Sequence, residues 1–261
     1  MNTGLKDKCV LITGASGGIG QAVARAFAAE GSTLVLHYHH NAQSVERLRG
    51  ELNARAIAVQ ADLCDEQQAD AMFAEGLKTF PRIDAVVVNA GAWNASAVPL
   101  WEMTLAQWRQ TLDADLTSAF LTCRAFLRHL SAVPRESAAL VLVGSTAAIF
   151  GEADHADYSA AKAAMTYGLT RSLKNEIVRL APRGRVNCVC PGWTETPMAA
   201  GQLADAALLK RITATRPLQA IARPQDIAAA IVFLASDTLA GHITGAVLPV
   251  AGGMEGRLLN P

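Results

Sequence analysis

The 261-residue chain has no excess of charge of either sign: Lys and Arg total 23, and so do Asp and Glu. A nucleic-acid binder normally carries a basic excess, so nucleic-acid partners are set aside. Long hydrophobic runs are missing too. The longest spans residues 227–235, well short of the roughly 20 that a membrane-crossing helix needs, so no membrane partner is expected. Residues 1–8 are polar and offer no apolar leader core, which points to the cytoplasm. Cysteine is sparse. Cys9, Cys64, Cys123, Cys188 and Cys190 are odd in number and scattered, which excludes a disulfide framework and a cysteine metal site. Charged residues make up only 18% against 51% hydrophobic, which excludes intrinsic disorder. There is no Ser/Gly-rich linker and no internal repeat, so one domain covers 1–261 in this reading.

What is present is an alternation of apolar runs with amphipathic stretches. Strands are expected at 9–13, 33–38, 56–60, 85–89, 139–144, 185–190 and 246–250. Helices are expected up to residue 30, then at 42–53, 66–79, 105–130, 156–180 and 224–235. Continuous apolar strands joined by helices predict an α/β fold: a Rossmann-type, doubly wound parallel sheet of seven strands with helices on both faces. The Ala/Leu-rich segment 194–215 reads as a mobile lid over a substrate.

The first strand runs into Thr13-Gly14-Ala15-Ser16-Gly17-Gly18-Ile19-Gly20. Glycines there let the backbone approach a pyrophosphate that faces a helix N-terminus. Gly14, Ser16, Gly18, Ile19 and Gly20 are therefore candidate cofactor ligands. Asp62-Leu63 closes the third strand and could reach an adenine, or simply cap the next helix. Asn89-Ala90-Gly91 closes the fourth, where small residues admit a flat ring. The second strand ends in His37-Tyr38-His39-His40-Asn41 with no acid. An acid near this point would bond a ribose 2′-hydroxyl and repel a 2′-phosphate. Its absence favours NADP, with NAD still possible, and makes Tyr38 and His39 cofactor candidates. The three histidines lack an accompanying carboxylate or cysteine, so no metal site is expected.

Tyr158 and Lys162 stand four apart at a helix start and share a face with Met165, Leu169 and Leu173. An inward-facing lysine is costly unless it has a task. Its ammonium is expected to favour the phenolate of Tyr158, which can then exchange a proton with a carbonyl or alcohol oxygen. Ser145, just past the fifth strand, is placed to hydrogen-bond that oxygen. Asp115 falls on the apolar stripe of the 105–130 helix and needs a partner. It is expected to reach Lys162 directly or through water; the alternative is a structural carboxylate bonded to backbone at a helix kink. Trp93, Phe150, Trp193 and Met198 are candidates to line a substrate pocket. Glu152, Asp154, His155 and Asp157 read as a solvated loop; if one or two face the pocket, the substrate is polar.

TGASGGIG (13–20), NAG (89–91), Ser145, YSAAK (158–162) and PGWTETPM (191–198) stand in an order that resembles the short-chain dehydrogenase/reductase family over residues 8–253. The resemblance implies hydride transfer between a nicotinamide and a carbonyl or alcohol carbon of a small molecule. It makes Ser145 the residue that positions the substrate oxygen and Tyr158 the acid/base. Lys162 would hold the nicotinamide ribose, with Pro191, Gly192, Thr194 and Thr196 bordering the cofactor. It also implies a homodimer or homotetramer. Three positions depart from the family pattern: Asp115 stands for Asn, Ala251 for Asp, and Gly17 for a basic residue. Similarity to 3-oxoacyl-acyl-carrier-protein reductases suggests an NADPH-dependent ketoreductase acting on an acyl thioester. Sugar, polyol or other small-alcohol dehydrogenases and pteridine reductases are the alternatives, the last because LHYHHN resembles their cofactor segment. A dinucleotide-binding sensor without turnover is the non-enzyme alternative.

Overall fold

Val10, Leu11 and Ile12 of the first strand have no exposed surface, because neighbours in the strand face opposite layers. Leu11 packs in one core cluster with Phe73, Phe126 and Ile177. Val10 and Ile12 pack in the other with Phe27, Leu48 and Ile231. The computed structural model describes residues 2–257. Its strands are β1 (Cys9–Ile12), β2 (Thr33–Tyr38), β3 (Ala56–Gln60), β4 (Ala85–Val88), β5 (Ala139–Val143), β6 (Arg185–Pro191) and β7 (Val247–Val250). They form one seven-stranded sheet in the order β3-β2-β1-β4-β5-β6-β7, parallel at every pairing. The order reverses between β1 and β4, and such a reversal opens a ligand crevice at the strands' C-terminal ends. This is the Rossmann-type architecture expected from the sequence.

One face of the sheet is covered by α1 (Gly18–Ala29), α2 (Ala42–Glu51) and α11 (Pro224–Ala235). The other carries α3 (Glu66–Thr79), α5 (Ser118–Ala132) and α8 (Thr170–Ile177). Helix starts follow their caps. Asn41 accepts the Ser44 N–H, and Asp65 accepts those of Gln67 and Gln68, satisfying donors that have no partner within the helix.

Two expected long helices are broken. α4 (Leu105–Leu112) passes through a π-turn at Asp113–Thr117 before α5, and α7 (Ala156–Ala163) passes through one at Ala164–Leu169 before α8. Hydroxyls take up carbonyls at both wide turns: Ser118 Oγ donates to Ala114 and Thr170 Oγ1 to Met165. Such turns recur where a helix must aim a side chain; here one carries Asp115 and the other follows Lys162. Three short helices were not anticipated: α6 (Ala147–Phe150), α9 (Ala200–Leu203) and α10 (Ala206–Ala214). The last two lie within 194–215, with Asp205 capping α10. Among the described residues, no helix is long and apolar enough to cross a membrane.

Candidate active site

The crevice is built on ties between strand ends. The buried Thr13 hydroxyl, just past β1, accepts the backbone N–H of Asn89 (2.9 Å) and of Ala90 (3.0 Å). The Asn89 amide donates in return to the carbonyls of Thr13 and Gly14 (3.0 and 3.2 Å). His37, 2% exposed, adds a third tie. Its Nδ1 accepts the Gly14 N–H and its Nε2–H donates to the Ala61 carbonyl, both at 3.0 Å. Burial lowers the His37 pKa from 6.5 to about 4, against the pull of the Ala61 bond. With both ring nitrogens engaged, His37 is not free to bind a metal. His39 and His40 stack on each other at 3.6 Å.

Gly20 has no room for a side chain: a Cβ there would overlap the Gly14 carbonyl oxygen. α1 begins beside it without a side-chain cap and with no acid in its first turn. Its leading N–H groups are therefore available to an anion. The tight turn and uncapped helix start fit the pyrophosphate of a nicotinamide dinucleotide.

From β1 outward through β4, β5 and β6, one cleft of about 680 Å³ runs along the strand ends. Gly14, Ser16, Gly18, Ile19 and Gly20 line it, followed by Asn89, Ala90 and Gly91. Asp115, Ser145, Tyr158 and Lys162 come next, then Pro191, Gly192, Thr194 and Thr196. Trp93, Trp193 and Met198 also line it. His39, Asp62 and Leu63 lie instead in a second cavity of about 560 Å³, which shares Ala90, Gly91 and Ala92 with the first. Tyr38 lines neither cavity and packs on the core beneath β2. Phe150 is 40% exposed and lies outside the cleft, near Gly256.

At the reactive end Lys162 Nζ stands 3.1 Å from Asp115 Oδ1, a direct pair with both side chains buried. Nζ also lies 3.4 Å from the Val143 carbonyl and 5.6 Å from the Tyr158 ring centre. Gly91 makes room for this pair, since a Cβ there would run into Asp115 Oδ1. Burial works to lower the Lys162 pKa, but Asp115 and Tyr158 outweigh it, so the net shift is upward and the ammonium persists. Tyr158 departs from expectation. Lys162 and the Ser145 hydroxyl pull its pKa down, yet desolvation is larger and the net direction is up. The resting residue is a neutral phenol beside a fixed cation, able to donate a proton.

Several residues were misjudged from sequence. Arg47 of α2 reaches the cleft wall with Asn41, Gln43 and Ser44, although no basic residue adjoins the glycine turn in sequence. The acids on its own helix are engaged elsewhere: Glu46 with Arg49 and Glu51 with Arg25, each at 2.7 Å. Asp157 and His155 are buried, not solvated. Asp157 Oδ2 accepts from Thr111 Oγ1 (2.7 Å) and Gln107 Nε2 (3.4 Å), tying α7 to α4 and so fixing Tyr158. Glu152 does face the cleft. The structural roles of Thr13 and His37 went unread. A polar residue closing an apolar strand beside a glycine turn was the available signal.

Fold and site together define a nicotinamide-nucleotide oxidoreductase acting on alcohol and carbonyl groups. Residues 14–255 match the family model described as enoyl-(acyl carrier protein) reductase. The chain is 38% identical over 255 residues to cis-4-hydroxycyclohexanecarboxylate dehydrogenase of Sinomonas cyclohexanicum, covering 97% of this chain and 98% of that one. It is 36% identical to a 3-oxoacyl-[acyl-carrier-protein] reductase of Synechocystis, with 97% and 98% covered. A solved short-chain dehydrogenase/reductase from Brucella melitensis, titled a glucose/ribitol dehydrogenase, superposes with a TM-score of 0.86 at 33% identity. That match covers 96% of this chain and 97% of the other. The chain belongs to the short-chain dehydrogenase/reductase family and binds NAD(P).

Proposed function

We propose that this enzyme interconverts a ketone and a secondary alcohol with NADP(H), using Ser145, Tyr158, Lys162 and Asp115. The observation that carries this reading is the Lys162 ammonium, held between Asp115 Oδ1 and the Tyr158 ring at the floor of the cleft. A nicotinamide held in this cleft would supply or accept the hydride. Ser145 donates a hydrogen bond to the substrate oxygen and holds it against the Tyr158 hydroxyl. In reduction Tyr158 gives its proton to that oxygen; in oxidation it takes the proton back. Lys162 stabilises the phenolate left behind, and Asp115 keeps Lys162 charged. A tyrosine that rests protonated suits the reductive direction.

The NADP preference rests on the absence of an acid after β2 and on Arg47 in the cleft wall. A guanidinium there offers a charge-assisted bond to a 2′-phosphate. The substrate class supported best is a compact ring alcohol or ketone, because Trp93 and Trp193 meet edge-to-face at 5.8 Å in the cleft wall. A 3-oxoacyl thioester is the second reading, favoured by the Synechocystis relative. Segment 194–215 serves as a lid: Thr196 and Pro197 lie against Gly18, and a Cβ on that glycine would meet Thr196 at 2.8 Å. A homodimer or homotetramer fits the exposed Leu105 and Phe120 on α4 and α5. Five free thiols fit the cytoplasm.

The test is the rate of reduced-cofactor consumption with cyclohexanone derivatives and an acetoacetyl thioester, using NADPH and NADH in parallel. kcat/KM with NADPH is expected to exceed that with NADH by about tenfold or more, the scale of one bond to a charged group. Arg47→Ala is expected to remove most of that ratio. Equal rates with both cofactors, or a ratio untouched by Arg47→Ala, would refute the NADP assignment.

A further inference from the structure

Glu152 is the unexplained charge of the cleft. Five ionisable side chains line it: Arg47, Asp115, Glu152, Tyr158 and Lys162. Asp115 and Lys162 pair with each other. Arg47 belongs to α2, on the far side of β1 from β5. Glu152 follows β5 in the loop between Ser145 and Tyr158 and forms no ion pair among the described residues. Its backbone is fixed by its N–H donating to Ser159 Oγ at 3.1 Å. Around its carboxyl stand the Trp93 indole and the His155 imidazole, which pack together at 5.0 Å between ring centres. Trp193 closes on Trp93 from another side. The Asp115–Lys162 pair supports the proton chemistry; nothing in that chemistry uses Glu152.

A half-buried carboxylate has more acceptor capacity than the one indole N–H of Trp93 can fill, so its burial stays costly until a further donor reaches it. Burial pushes the Glu152 carboxyl above its ordinary range, with His155 and the hydrogen bond from Trp93 pulling it only part of the way back. A substrate O–H or N–H would relieve that cost by a charge-assisted bond, whereas a substrate carboxylate would meet a like charge. The tryptophan faces suit the C–H surface of a saturated ring. We propose that Glu152 is a specificity-determining residue: it selects ring alcohols and ketones that carry a second hydroxyl or an amine, and it rejects those that carry a carboxylate. The proposal rests on the reading that Ser145, Tyr158 and Lys162 carry the reaction at this same site. It separates this enzyme from the Sinomonas relative, whose named substrate is a carboxylate.

Four compounds sharing one ring isolate the effect: cyclohexanol, cyclohexane-1,4-diol, 4-aminocyclohexanol and cis-4-hydroxycyclohexanecarboxylate. Oxidation with NADP is measured for the wild type and Glu152→Gln, and read as ratios of kcat/KM so that a general loss of activity cancels. The wild type is expected to favour the amine over the carboxylate by about a hundredfold, roughly tenfold from attraction and tenfold from repulsion. Glu152→Gln is expected to bring that ratio near one. An unchanged ratio in Glu152→Gln, or a wild type that prefers the carboxylate, overturns the proposal. In a Trp101→Phe, Trp108→Phe background, where Trp93 and Trp193 are the remaining tryptophans, fluorescence quenching gives the same order as binding, with NADP present, so the proposal stays testable if turnover is slow. Tyr158→Phe separates the two claims. Lost turnover with the binding order intact supports the catalytic reading whatever Glu152 does. A binding order that ignores charge refutes the Glu152 proposal alone.

Discussion

Lowering the pH should loosen this fold in a way traceable to one buried imidazole. His37 accepts from Gly14 through Nδ1 and donates to Ala61 through Nε2, so it is neutral in the folded state. A proton on Nδ1 would set two donors against each other. The folded pKa is about 4 against an ordinary 6.5. Between those values the unfolded chain holds a proton that the folded chain does not, so folding stability falls as pH falls. The contribution is fully present above pH 6.5, declines through the window, and is gone below about pH 4. At about 1.36 kcal/mol per pH unit, the shift is worth about 3 kcal/mol in total, and about 2 kcal/mol has been lost by pH 5. The assay is urea unfolding of the wild type and His37→Asn from pH 8 to 4.5. Asn keeps an acceptor for the Gly14 N–H but does not titrate here. The wild-type advantage should stay constant down to pH 6.5 and then shrink by up to 1.4 kcal/mol per unit, on the order expected from linkage. Parallel curves across the window would show that His37 is not held neutral and that the tie to Gly14 is wrong.

Other expectations follow from the same contacts. Asp115→Asn removes the largest of the contributions that together outweigh the burial of Lys162, so Lys162 should lose its proton at lower pH and carry the alkaline limb of the kcat/KM profile down with it; a profile identical to wild type would reduce Asp115 to a structural role. Gly20→Ala forces a methyl onto the Gly14 carbonyl and should weaken NADPH binding by about tenfold or more, read by cofactor fluorescence, because the turn must approach the pyrophosphate closely. Arg216 is fully buried, bonds the Ala220 carbonyl, and leaves Nε and Nη2 without partners among the described residues. Arg216→Met should therefore raise the denaturation midpoint, by about 1 kcal/mol of stability or more; a drop of that size would mean the guanidinium has a partner.

The strands were legible because β1, β4 and β5 are unbroken apolar runs buried on both faces and the others are largely apolar; β2 and β3 match their expected limits. The inward turn of Asp115 was legible as well: a carboxylate on an apolar stripe needs a cation, and Lys162 stands 3.1 Å away. The π-turn that aims it was not. Its wide turn depends on contacts distant in sequence, such as the Ala92 N–H on Asp115 Oδ1. Arg47 was missed for a similar reason. Its direction follows from how Val45 and Leu48 seat α2 on the sheet, which no local spacing reports. Asp157 looked solvated because its partners, Thr111 and Gln107, lie on another helix. Tyr38 closes β2, where the sequence suggests a cofactor contact, but the strand's alternation packs it against the core.

The central claim is that Tyr158 exchanges the proton while Lys162 and Asp115 hold it ready. Its most direct test is single-turnover reduction of a ring ketone by NADPH-loaded Tyr158→Phe, with cofactor affinity measured on the same sample. The account predicts loss of at least about a thousandfold in rate, within the range for removing a general acid, with NADPH still bound. A variant that binds NADPH and retains a rate within tenfold of wild type, well inside about 10², would contradict it.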